Sequence, residues 1–220
     1  MTVVSRLLSI TVPAAITRTF RSRPIFQIGF NKCATNSLCE FLSDSGITAL
    51  HWHGGALAQR ISRRIQAGQD PIKDFPTTVG FFDMVYNSRD TLLEPYKQFE
   101  YLHSWYPEAL FLLNTRDRES WIKSRLAHEA PNSHVRLVSR YAEYLGLPEE
   151  QVPDFWRAEL DSHHALVRAY FKGSPNFLEF DIERDDPEKL RSFVARFYGR
   201  CAQTPFGRHN PTTDASSEVA

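Results

Sequence analysis

The chain has 220 residues, of which 42% are hydrophobic and 13% aromatic, a length and composition suited to one ordered α/β domain with a sizeable core. Its 26 basic and 26 acidic side chains cancel, which excludes a general attraction to nucleic acid or to anionic membrane. Three cysteines (Cys33, Cys39, Cys201) with no paired spacing exclude a disulfide framework and suit a reducing, cytoplasmic setting.

Residues 1–23 read as a basic arm, with Arg6, Arg18, Arg21 and Arg23 and no acid before Glu40. The apolar run 7–16 is too short to cross a bilayer and contains Pro13. Val12-Pro13-Ala14-Ala15 has some likeness to an export-signal cleavage region, but a signal would leave almost no chain before the first strand. Four arginines in two dozen residues are also a thin basis for docking on a membrane.

Residues 25–29, apolar and closed by Gly29, predict a buried strand. The chain then turns polar through Asn31-Lys32-Cys33-Ala34-Thr35-Asn36-Ser37 and enters a helix over Ser37–Ser43 that stops at Gly46. A strand that breaks into the N-terminus of a helix is an anion site, because the first-turn N–H groups are free and the helix dipole is positive there. Lys32 adds a full charge, and Thr35, Asn36 and Ser37 add donors for anionic oxygens. A nucleoside-triphosphate loop would place Ser or Thr directly after its Lys to hold magnesium. Here the residue is Cys33, a poor magnesium ligand, so no metal is expected.

Residues 47–53 predict a second strand that carries His51 and His53 and is closed by Gly54-Gly55. A helix with a basic face follows over Ala56–Ile65, then a third strand over Thr77–Met84 that contains Asp83. Leu92–Trp105 suggests a helix that ends near Pro107. Ala109–Asn114 is the clearest buried strand. Two or three helices should lie between Glu119 and Lys172, broken at Pro131-Asn132-Ser133 and Gly146-Leu147-Pro148. A last strand over Phe177–Phe180 and a helix over Pro187–Tyr198 precede a loose polar tail, 213–220. This alternation predicts an α/β fold with a mainly parallel sheet, helices on both faces and ligands at the carboxyl ends of the strands.

The strongest strand runs into Thr115-Arg116-Asp117-Arg118, with Ser124 eight positions after Arg116. A strand-end Arg can grip a phosphate with both arms of its fork. Together, Lys32-Cys33-Ala34-Thr35-Asn36-Ser37-Leu38 and Arg116…Ser124 resemble the two motifs of sulfotransferases that use 3′-phosphoadenosine 5′-phosphosulfate (PAPS). The family loop reads K-C-G-T-T-S-L, so Ala34 stands for Gly and Asn36 for Thr; Arg118 stands for the Pro of the family's R-D-P. The likeness spans about residues 24–212, including a closing segment, 204–210, that contains Arg208.

The resemblance implies a P-loop NTPase-like sulfotransferase fold in a domain over 24–212, and transfer of a sulfuryl group from PAPS to a hydroxyl or amine. It also implies a donor held by Lys32, Cys33, Ala34, Thr35, Asn36, Ser37, Arg116, Ser124 and Arg208. Lys32 would stabilise charge on the leaving phosphate. The acceptor's base is Asp83, His51 or His53, each near a predicted strand end. A small-molecule, carbohydrate or lipid acceptor is expected; the aromatic stretch 131–171 could cover it, and oligomeric state is not readable. A magnesium-dependent kinase and a non-catalytic nucleotide-binding scaffold are the rival classes, the second motivated by Ala34 and Asn36.

Overall fold

The computed structural model describes residues 23–128 and 136–207. Five parallel strands form one sheet: β1 (Ile25–Gln27), β2 (Ala49–His51), β3 (Gly80–Phe82), β6 (Leu110–Thr115) and β7 (Phe177–Asp181), in the order β2-β3-β1-β6-β7. A separate antiparallel hairpin joins β4 (Tyr86–Asn87) to β5 (Leu92–Leu93). The helices are α1 (Thr35–Asp44), α2 (Ala56–Gln66), α3 (Phe99–Trp105), α4 (Arg118–Leu126), α5 (Leu137–Leu145), α6 (Val152–Tyr170) and α7 (Pro187–Ala195).

Alternate strand residues feed two cores, as the period of two requires for a sheet covered on both faces. Ile25, Phe82, Leu110 and Leu112 pack with Leu38, Phe41 and Leu42 of α1 and Leu190, Phe193 and Val194 of α7. Phe26, Phe81, Phe111 and Leu113 face the other way, into a larger core with Leu57 and Ile61 of α2, Leu102 of α3, Trp121 of α4, Val138 of α5 and Trp156 of α6. Most of these helices present apolar residues three and four apart, which is why they fold over the sheet, whereas α4 buries Ser124 and Arg125 beside Trp121 and Ile122.

Chain order changes direction at β1: the chain visits β2 and β3 on one side, then β6 and β7 on the other. Such a switch point opens a crevice at the carboxyl ends of the strands. The loop after β1, His51, Asp83, Arg116 and the turn after β7 all lie at that end.

Some element boundaries differ from the sequence reading. The helix expected over 92–105 is instead strand β5, a 3₁₀ turn at Pro95–Lys97 and a helix confined to 99–105. Pro95 explains this, because it holds Glu94 out of helical geometry (φ −135°, ψ 63°) and has no N–H to donate. The strand expected over 47–53 spans only 49–51, since the backbone turns sharply at Trp52 and His53. The third strand is Gly80–Phe82 rather than 77–84, and α7 stops at Ala195 rather than Tyr198. Helix α1 begins two residues early, at Thr35. Among the described residues of 119–172 there are three helices, with the break at Gly146 (φ 66°) as expected. The Pro131–Ser133 turn, the basic arm through residue 22, Arg208 and the tail lie outside the described residues.

Candidate active site

Five non-glycine residues among those described have positive φ: Lys32 (61°), Ala34 (58°), Trp52 (51°), His53 (51°) and Asp83 (51°). All follow β1, β2 or β3. A side chain in left-handed backbone costs about 1–2 kcal/mol, so strain gathered at neighbouring strand ends marks a functional region. Ala34 stands where the related loop has Gly, and it takes up the left-handed turn that Gly would take (φ 58°, ψ 30°) at the N-cap of α1. The Cβ is strained there but accommodated.

A buried amide network holds this loop. Gln27 and Asn114 are 1% and 0% exposed at the centre of otherwise apolar strands. Gln27 Nε2 donates to Gly29 O (2.5 Å) and Asn114 Oδ1 (2.7 Å), and its Oε1 accepts from the Asp83 N–H (2.8 Å). Asn114 Nδ2 donates to Phe30 O (3.1 Å) and Cys33 O (2.7 Å). Each amide hydrogen of both side chains is used, so the network is satisfied and rigid. Gly29 passes so close to Asn114 that a Cβ there would meet its backbone oxygen at 2.4 Å. Trp121 Nε1 adds a bond to Asn31 O (2.9 Å). The loop after β1 and Asp83 are therefore fixed by one unit.

The candidate residues sort by position. Cys33 is buried, which pushes its thiol up to about 12 and makes it a packing residue rather than a thiolate. Thr35 and Ser37 are buried in the first turn of α1, while Asn36 donates to Glu40 Oε1 (2.8 Å). Thr35 Oγ1 lies 3.0 Å from His51 Nε2, and the same nitrogen is 3.6 Å from Asp83 Oδ2. His53, in contrast, is solvent-exposed in the turn beyond β2. The two histidines do not share a strand face, because β2 ends between them.

Asp83 and His51 open into a cavity of about 370 Å³, lined also by Asn31, Trp52, Tyr86, Asn87, His128, Arg140 and Tyr141. That volume suits a ring or two of a small ligand. Burial raises the Asp83 carboxyl above the ordinary range, opposed by His51 and Lys32. Burial likewise lowers His51, with Asp83 pulling the other way. Lys32 is lowered, chiefly by burial and further by Arg116, while Asp83 opposes.

His128 was not singled out from the sequence. Its Nδ1 lies 3.4 Å from Lys32 Nζ, and burial together with Lys32 and Arg125 lowers it to about 4. It is thus a neutral imidazole at neutral pH, able to accept from the lysine.

At the other side of the loop Arg116 Nη1 donates to Lys32 O (3.1 Å), and the rest of its fork binds Glu183. Asp117 caps α4 by accepting from the Ser120 N–H (2.9 Å), and Ser124 is buried within that helix.

A parallel sheet whose first strand opens into a strained loop and a helix N-terminus at a switch point, with Asp83 and Arg116 at the flanking tips, defines a P-loop-type α/β fold. The sulfotransferase domain family matches residues 24–145, more than half of the chain and inclusive of both motifs. The protein belongs to that family. Among curated proteins none matches the chain.

Proposed function

We propose that this sulfotransferase moves a sulfuryl group from PAPS to a hydroxyl, or an amine, of an acceptor bound in the cavity beside Asp83 and His51. The supporting observation is convergence: Lys32 reaches His128 on the wall of the same cavity that holds the His51–Asp83 pair. Residues suited to one charged donor group and residues suited to one proton transfer thus meet at a single place.

Lys32, the first-turn N–H groups of α1 and the Arg116 fork are the groups that would hold the donor. The bound donor supplies an activated sulfuryl group on a phosphate leaving group. Asp83 takes the acceptor proton, and its raised pKa brings it nearer the working pH of a general base. His51, held neutral by burial, bonds Thr35 Oγ1 and places its ring 3.6 Å from the Asp83 carboxylate. Lys32 and the α1 N-terminus would stabilise the negative charge that develops on the departing oxygen. Carbohydrate, glycolipid and small phenolic hydroxyls are the acceptor classes to screen.

Thermal unfolding with 3′-phosphoadenosine 5′-phosphate (PAP), with ADP and ATP–magnesium as controls, tests the donor. A ligand at a hundred times its Kd adds about 2.7 kcal/mol, worth roughly 5–10 °C in a chain of this size. The shift should be specific to PAP and disappear in Arg116→Ala. An equal shift with ATP–magnesium would replace this reading with a kinase.

A further inference from the structure

The fork of Arg116 is occupied. Its Nε and Nη2 both donate to Glu183 Oε1, at 3.1 and 2.7 Å, and Glu183 Oε2 accepts from the Asp117 N–H at 3.1 Å. The pair is largely shielded, with 18% and 28% of the two side chains exposed. The carboxylate is held in place by its own backbone. The turn after β7 is closed by Asp181 Oδ1, which accepts from the N–H groups of Glu183 (2.9 Å) and Arg184 (3.2 Å). Strand pairing sets the position, because Thr115 lies opposite Asp181 and the tips of β6 and β7 therefore meet.

We propose that Glu183 is a donor-specificity residue: its carboxylate sits in the Arg116 fork that the donor's 3′-phosphate would need, so that phosphate binds only by displacing it. This rests on the reading of Arg116 as the phosphate clamp. A guanidinium edge presents one pair of parallel donors, and a carboxylate and a phosphate cannot both use it. A phosphate that shared the site with Glu183 would also meet like charge at contact distance, which is unfavourable. A free ribose hydroxyl meets no such conflict, since a carboxylate accepts from it, as acidic residues do in dinucleotide sites. Displacing Glu183 therefore costs the wild-type chain part of its preference for PAP over adenosine 5′-phosphate, and the Arg116 clamp supplies the rest. Neutralising Glu183 frees the fork and makes the 3′-phosphate count for more.

Isothermal titration of both nucleotides into the full chain, wild type, Glu183→Gln, Glu183→Ala and Arg116→Ala, tests this. Glu183→Gln keeps the shape of the side chain, and Glu183→Ala guards against a residual bond from the amide. PAP should bind at least tenfold tighter in both Glu183 variants, with adenosine 5′-phosphate changed less than twofold. Unchanged or weaker PAP binding in both variants, with binding lost in Arg116→Ala, would overturn the proposal and leave the clamp standing. Failure of PAP to bind any of the four proteins would overturn both.

Discussion

As the proposed base, Asp83 sets catalysis against stability. Its carboxyl is raised by burial, so the folded chain holds the proton more tightly than the unfolded chain does. Stability from that preference is present below the unfolded pKa and is lost as pH rises through the raised one. At pH 7 the buried charge is a liability, and Asp83→Asn should raise the melting temperature. The same change should cut transfer by about 10²–10⁴-fold, the usual contribution of a general base. His51→Asn should cost activity less, since that ring lies beside the proposed base and bonds Thr35. A variant with normal activity and an unshifted melting point would remove Asp83 from the mechanism. Asp83, His51, Lys32 and Arg116 could all be picked out in the sequence because each follows an apolar run at a predicted strand end. Glu183 and His128 could not. Glu183 lies 67 positions from Arg116 and meets it only through the pairing of β6 with β7. His128 follows the end of α4 with no periodic signal and reaches Lys32 across 96 positions.

At the scale of elements, the loop after β1 depends on Gln27, Gly29 and Asn114. Asn114→Leu strands the carbonyls of Phe30 and Cys33 and one amide hydrogen of Gln27, all buried. Each orphaned group costs about 1–3 kcal/mol, so a loss of several kcal/mol in urea unfolding is expected, with donor affinity falling alongside. A neutral Asn114→Leu would show that the loop is held elsewhere. Gly29→Ala should be at least as damaging, because its Cβ would meet backbone oxygen, which cannot rotate away. The signal for this network was present in the sequence: an amide inside Ile-Phe-Gln-Ile and another closing Leu-Phe-Leu-Leu-Asn. A buried polar residue in an apolar strand needs a partner, but which partner follows only from the adjacency of β1 and β6. The β4–β5 hairpin was missed for a different reason. Its leucines at 92 and 93 extend smoothly into a helical pattern, and only Pro95 interrupts it.

For the whole molecule, the α/β class and the parallel sheet were legible because strands and helices alternate and fold by handedness rules, and the candidate site follows from where such a sheet leaves its crevice. The acid response was not, since it depends on which histidines the two cores enclose. His163 and His164 on α6 are 6% and 5% exposed, and burial lowers both to about 4. His163 Nε2 lies 2.7 Å from Ile28 O, so its ring donates to the end of β1, whereas His164 Nε2 has no partner among the described residues. Both folded-state values lie below the unfolded value near 6.5, so the unfolded chain binds more protons between pH 6.5 and 4. Stability is full above pH 6.5 and falls as pH drops towards 4, by up to about 1.4 kcal/mol per pH unit for each ring. His128, lowered to the same value, adds to the effect of these two rings, so the loss across that window is on the order of several kcal/mol. Melting temperatures measured from pH 7.5 to 4.5 should therefore fall steeply below 6.5, well before most carboxylates titrate. His164→Leu removes one of three rings lowered to about 4, the one whose Nε2 has no partner among the described residues, and should flatten the slope by about a third. A slope unchanged in that variant would assign the acid sensitivity to other groups.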